Sequence, residues 1–300
     1  MSSDGSTFSP APGLPQMDIT RHVRCAMGVH LHWRECGAAH APPLVLLHPS
    51  PRNSAMFEPW MPALARHWRV LAVDTPGYGG SDALPGFAAP GDDGPLGDYV
   101  SAMHALLQDI AGHRWHMYGS ATGAQLAIAL ALRHPASVAH LLLDNAAHFD
   151  DEERAHLLVH YFPDLTPTSD GSHLQRVWTM AAQMLQFFPW FENNEAHRVS
   201  TRVPSLAEVH AGALELLAAG PNYARAYRAA FLHERAEHVQ ALQVPTTLLR
   251  WQGSILLRHI DRLLQFPLPP QVQVLETPMA LDQRYAVMTA HLQTLLPLRA

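Results

Sequence analysis

The chain contains no lysine. Its 20 basic residues are all arginines, set against 26 acidic residues for a formal net charge of −6 over 300 residues. These arginines are scattered, whereas a nucleic-acid partner requires a clustered basic surface, so none is expected. Cysteine is almost absent. Cys25 and Cys36 are too few for a disulfide framework or a four-ligand zinc site and read as reduced packing residues. No apolar run approaches the length of a membrane span, which argues against a membrane partner. The opening stretch MSSDGSTFSPAPGLPQ has neither the basic start nor the apolar run of a signal peptide. Residues 1–19 are therefore expected to be a disordered tail on a cytoplasmic protein. After that tail there is no repeat and no low-complexity block.

What is present is enough apolar material, 48% of the residues, for one large α/β domain with an insertion. RHVRCAMGVHLHWREC alternates around Gly28 as a β-hairpin does, and APPLVLLHPSP carries a short apolar strand of the buried parallel type. From Ser54 to Arg66 the apolar residues recur at helical spacing, followed by the strand WRVLAVD and the turn TPGYGGSD. A helix in DYVSAMHALLQDI, the strand WHMYG, the helix ATGAQLAIALALRH stopped at Pro135 and the strand VAHLLLDN continue the alternation. Strands alternating with helices imply a parallel sheet with right-handed crossovers. The alternation lapses over 148–239, a helix-rich segment most simply a lid after the sixth strand. It resumes with PTTLLRW, QVQVLET and a last helix from about Asp282 to Leu295. The core is expected to comprise 20–147 and 240–300.

The order LLHPSP, VLAVDTPGYGGSD, MYGSATGAQLAIALALRHP and then a helical insertion resembles the α/β-hydrolase superfamily from about residue 20 onward. That resemblance implies a mostly parallel central sheet with helices on both faces. It also implies a strand-to-helix elbow reading small-x-nucleophile-x-small, because the sharp turn leaves room only for small neighbours. Here the elbow reads Gly119-Ser120-Ala121-Thr122-Gly123, and the helix running to Arg133-His134-Pro135 fits the register without a gap. Ala121 thus stands at the nucleophile position. Alanine has no lone pair, so covalent catalysis there is excluded unless another group substitutes. Ser120 is the tempting substitute, but centring the elbow on it sets Tyr118 where a bulky side chain clashes. The triad acid is implied after the seventh strand, where spacing gives Ser254. The triad histidine is implied after the last strand, where VLETPMALDQRYAV has none; His291, the nearest, falls inside the final helix.

Three missing side chains point to a different use of the pocket rather than to a damaged esterase. The resemblance still implies an oxyanion hole from the backbone N–H groups of Thr122 and Ser50, with the helix N-terminus favouring a carbonyl oxygen, enolate or carboxylate. His48 and His148 follow the third and sixth strands and are candidate acids or bases. Asn145, at the end of the sixth strand, is a candidate pocket hydrogen-bonder. Trp178, Phe187, Phe188 and Trp190 in the insertion are candidate substrate contacts, as aromatic residues over such pockets read substrate shape. His30 and His32 share a strand face, but no third ligand is visible at useful spacing, so neither a metal nor a cofactor is expected. Asp74 is read as holding the glycine-rich turn after the fourth strand.

The favoured expectation is an enzyme that acts on a small, mostly apolar carbonyl or ester-like compound without the triad, as a lyase, isomerase, decarboxylase or water-assisted hydrolase. Two alternatives stand beside it: a ligand-binding or regulatory protein, and a hydrolase with a relocated nucleophile. The expected partner is a small-molecule substrate or ligand, with a homodimer left open.

Overall fold

The computed structural model describes residues 17–85 and 96–296. Most of the expected tail, 1–16, therefore lies outside the described residues. Strands β1 (Thr20–Ala26) and β2 (Val29–Cys36) pair antiparallel across a two-residue turn, with Met27 and Gly28 at φ 51° and 81°. Those positive values suit the twist of a tight hairpin. The chain continues through β3 (Pro43–Leu47), α1 (Met61–Leu64) and β4 (Arg69–Val73). It then runs through α2 (Gly97–Ala111), β5 (Trp115–Ser120), α3 (Thr122–Arg133) and β6 (Val138–Asp144). Five helices follow: α4 (Asp151–His160), α5 (Ser172–Met184), α6 (Leu206–Ala219), α7 (Ala224–His233) and α8 (Ala236–Gln240). The last elements are β7 (Thr246–Trp251), α9 (Leu257–Leu263), β8 (Val272–Thr277) and α10 (Leu281–Thr294).

The eight strands form one sheet in the order β1-β2-β4-β3-β5-β6-β7-β8, antiparallel at the first two pairings and parallel thereafter. Its centre is apolar on both faces. Leu44 to Leu47 and Val70 to Val73 are completely buried, each side chain contributing about 1.5–3 kcal/mol on burial. One face packs on α2 and α3, the other on Trp60, Met61 and α10. The expected helix over 54–66 is instead a 3-10 turn (Ser54–Phe57) and the short α1, because Pro59 and Pro62 interrupt the backbone hydrogen bonds. Cys36 is buried as expected of a packing residue, but Cys25 is exposed, since β1 is the edge strand and none of its residues is buried. Among the described residues no helix is long and apolar enough to cross a membrane.

The turn between β5 and α3 has one strained residue at its centre. Ala121 adopts φ 48° and ψ −110°, while its N–H donates to the Asp144 carbonyl on β6 at 2.9 Å. A Cβ on Gly119 would lie 2.3 Å from the Gly123 carbonyl oxygen, and one on Gly123 would lie 2.2 Å from that of Leu47. Both glycines are thus required by close backbone approach, and the strained residue at the centre is Ala121 rather than Ser120 or Thr122. A left-handed conformation of this kind costs an L-residue about 1–3 kcal/mol. Ala121→Gly is accordingly expected to raise the unfolding free energy by about 1 kcal/mol, read from the urea midpoint at unchanged slope. An unchanged or lowered midpoint would show that the turn carries no such strain.

Candidate active site

Strands β3, β5, β6 and β7 end at the same edge of the sheet, where loops of a parallel sheet converge on ligands. A cavity of about 350 Å³ lies there. Its floor is Pro49 to Arg52 after β3, Ser120 to Thr122 of the elbow, Asn145 after β6, and Ile255 and Leu256 after β7. The helices between β6 and β7 supply its other wall. Tyr161, Phe187, Phe188, Tyr227 and Phe231 give that wall its aromatic character, while Glu208, Glu215 and Glu234 bring carboxyl groups.

At the elbow the Ala121 methyl group faces this cavity in the nucleophile position. Thr122 heads α3, where the first backbone N–H groups have no helical acceptor. Ser50 lies against it, its N–H 3.4 Å from Thr122 Oγ1. Both expected oxyanion donors therefore border the cavity. Asn145, itself at φ 53°, donates from Nδ2 to Ser120 Oγ at 3.3 Å and accepts at Oδ1 from Ser254 Oγ at 2.5 Å. The position implied for the triad acid is therefore a neutral serine bonded to a neutral amide.

Ser120 borders the cavity but is not primed as a nucleophile. Its hydroxyl is 3.3 Å from Asp144 Oδ2, which also receives Tyr118 Oη at 2.7 Å and Arg284 Nη2 at 2.5 Å. Ser120 thus shares that oxygen with the Tyr118 hydroxyl and the Arg284 guanidinium, and its contact there is the longest of the three. Arg284 comes from the first turn of α10 and stacks 4.5 Å over Trp251. It and Asp144 are both buried, and they tie the last helix to the strand beneath the elbow.

The histidines singled out from the sequence are placed away from this cavity. His48 is completely buried; its Nε2 accepts the Thr75 N–H at 2.9 Å and its Nδ1 donates to the Pro49 carbonyl at 3.0 Å. Burial holds its pKa below the ordinary value. Both nitrogens are committed to backbone, so the ring braces the loop and is not an acid or base for a ligand. His148 accepts the Ala236 N–H and packs on Phe266, outside the cavity lining. His291 meets Thr247 Oγ1 at 2.9 Å within the sheet layer. His30 and His32 turn to different aspartates, Asp82 and Asp74. Asp74 also accepts the Ser54 and Gly80 N–H groups at 2.6 and 2.8 Å, which holds the glycine-rich turn. In the insertion, Phe187 and Phe188 line the cavity, whereas Trp178 is exposed on α5. Trp190 stands behind the wall, donating to the Tyr161 carbonyl at 3.0 Å.

Sequence reasoning missed the titratable groups that packing buries at this cavity. Glu234, just past α7, is buried, and its Oε1 accepts the Ala147 N–H at 3.1 Å and Gln125 Nε2 at 3.2 Å. Burial pushes its carboxyl up to about 8, against the weaker pull of those donors and of Arg154, so it is protonated at neutral pH. The neighbouring His233, driven down to about 3 by burial, remains neutral and holds Gln125 in place. Tyr161 and Tyr227 share a hydrogen bond of 2.8 Å, and burial keeps both phenols protonated. No sequence signal distinguishes Glu234 in FLHERAEH from an exposed helix-end carboxylate.

The family model described as alpha/beta hydrolase fold matches residues 42–211. Among curated proteins, a probable proline iminopeptidase of Streptomyces coelicolor is 32% identical over 149 residues, 46% of this chain and 44% of that protein. Epoxide hydrolase 3 of Xenopus tropicalis is 31% identical over 121 residues, 40% of this chain and 32% of the relative. The chain thus matches less than half the length of these relatives. Epoxide hydrolase A from Mycobacterium thermoresistibile superposes at a TM-score of 0.67 with 17% identity, covering 93% of this chain and 98% of that one, which is a likeness of fold.

The site yields two expected outcomes. Ala121→Ser should remain essentially unlabelled by a fluorophosphonate, because among the described residues no imidazole borders the cavity to activate the new hydroxyl; rapid labelling would overturn that placement. Arg284→Ala should lower stability by about 3 kcal/mol in urea melts, since it strands the Asp144 carboxylate in the interior. A loss below about 1 kcal/mol would mean that water reaches the pair.

Proposed function

This chain belongs to the α/β-hydrolase fold family, and from that premise we propose that it is an enzyme acting on a small, mostly apolar carbonyl or ester-like compound without a covalent intermediate. The observation that carries this reading is the pairing, in one cavity, of a nucleophile position filled by Ala121 with a buried carboxylic acid, Glu234. The Thr122 N–H polarises the carbonyl oxygen, the Ser50 N–H joining it on release from Thr122 Oγ1, and Glu234 gives up and regains a proton as charge develops there. Tyr161 and Tyr227 are a hydrogen-bonded pair of neutral phenols, one of which keeps its proton free to stabilise a second oxygen. The aromatic wall excludes water and sets substrate shape, so the helices over 148–239 act as the lid of the site. Lyase, isomerase, decarboxylase and water-assisted hydrolytic reactions all fit this set of groups. The acidic charge balance and the two free thiols favour the cytoplasm as its compartment.

The test is turnover of a panel of aryl and alkyl esters, β-keto acids and enolisable ketones by the whole chain, alongside Glu234→Gln. The variant keeps the oxygen that accepts from Ala147 and Gln125 and should lose about a hundred-fold in kcat. The acid form is the working form, so wild-type kcat should fall as pH rises through about 8, a limb absent from Glu234→Gln. Thermal stabilisation by panel compounds without any turnover would move the protein to a ligand-binding role.

The same proton bears on stability. The folded-state value of about 8 lies above the ordinary carboxylate value of 4.5, so between them the folded chain holds a proton that the unfolded chain has lost. Stability from this group is complete below the lower value and declines as pH rises towards the higher one. Glu234→Gln should therefore melt above wild type near about pH 8 and approach it near about pH 5. Parallel melting curves across that range would show that Glu234 is not protonated in the fold.

A further inference from the structure

Arg52 is a guanidinium at the cavity with little to hold it. It follows a turn in which its N–H reaches the Pro49 carbonyl at 2.9 Å, so it projects from the same loop that presses Ser50 against the elbow. Its Nε lies 3.0 Å from Glu215 Oε2 on α6, yet Glu215 Oε2 has no hydrogen-bond partner, so the contact is an ion pair without hydrogen-bond alignment. Among the described residues Nη1 and Nη2 make no hydrogen bond. The fork of the guanidinium is thus left without a protein partner, on a side chain that borders the cavity and is 44% exposed. Glu208, the other carboxylate on this helix that borders the cavity, is already taken by Arg202 at 2.6 and 2.8 Å.

We infer that Arg52 is a subsite for a carboxylate, and that the ligand of this cavity is a small monocarboxylic acid with an apolar, aryl-sized body. The inference rests on the reading of the elbow as a carbonyl site, and it names the substrate class for that site. A planar carboxylate matches the end of the guanidinium with two parallel N–H···O bonds. A phosphate dianion fits less well, because Glu208 and Glu215 stand close and Arg52 is the one cation lining the cavity among the described residues. The body of the acid lies along Phe187, Phe188 and Phe231, and its carbonyl or ester oxygen reaches Thr122. Burial raises the Glu215 pKa and Arg52 opposes that rise, so Glu215 competes with an incoming carboxylate for the guanidinium.

The test is calorimetric binding of cinnamate and of the isosteric neutral cinnamamide to the whole chain, needing no turnover. Wild type should hold cinnamate about ten-fold more tightly than cinnamamide, the value of a charge-assisted bidentate contact. Arg52→Gln should abolish that preference and keep the affinity for cinnamamide. Glu215→Gln, which spares Arg52 and removes a competing negative charge, should keep or widen the preference and serves if Arg52→Gln does not fold. Equal affinity of wild type for both probes, binding of neither at millimolar concentration, an unchanged preference in Arg52→Gln, or its loss in Glu215→Gln would overturn the inference. If the preference follows Arg52 while no panel compound is turned over, the subsite stands and the catalytic reading falls. If Glu234→Gln loses turnover while Arg52→Gln discriminates as wild type does, the reverse holds.

Discussion

The backbone at Ala121 bends through a conformation that L-residues rarely adopt, and the site is assembled around that bend. It persists because the residues on either side cannot move. Gly119 and Gly123 touch the neighbouring backbone with no room for a side chain, and the Ala121 N–H is fastened to the carbonyl of Asp144. The bend directs α3 so that its unbonded N–H groups border the cavity, and it sets Ser120 beside Asp144 and Asn145. Strain of this kind is kept only where the surroundings over-determine it, and here it is kept without the hydroxyl it ordinarily serves.

The groups around the bend have been recruited into a different network. Ser254, Asn145, Ser120 and Asp144 form a continuous chain of hydrogen bonds, closed by the buried Asp144–Arg284 pair. Such a network fixes geometry, and among the described residues no imidazole lines the cavity. Proton chemistry passes to the opposite wall, where desolvation keeps Glu234 protonated. The buried carboxylic acid at the cavity is thus contributed by the helices between β6 and β7, while the strand-end loops bring Ser50 and Thr122 to its border.

The strand series, its alternation with helices and the elbow register were all legible in the sequence, because each depends on neighbours in the chain. Period-two and buried apolar runs marked the strands, and the glycines at 119 and 123 marked a place where backbones meet. The helix over 54–66 was over-read, since apolar spacing outweighed two prolines that stop the backbone hydrogen bonds. His48 and His148 were over-read for another reason. Sequence position brings them near the strand ends, but only packing reveals that backbone groups already engage their ring nitrogens.

By itself, then, the sequence determined the family fold and the elbow that places Ala121 at its bend, with Thr122 beside it. These are properties of a local turn and of a side chain that cannot attack. The tertiary structure decided which titratable groups share the cavity. Glu234 joins Gln125 and Ala147 across more than eighty residues, and Arg284 joins Asp144 across a still longer separation. The physical reason is desolvation. A carboxyl group reads the same in sequence whether water reaches it or not, and its chemistry is set by the packing that excludes water.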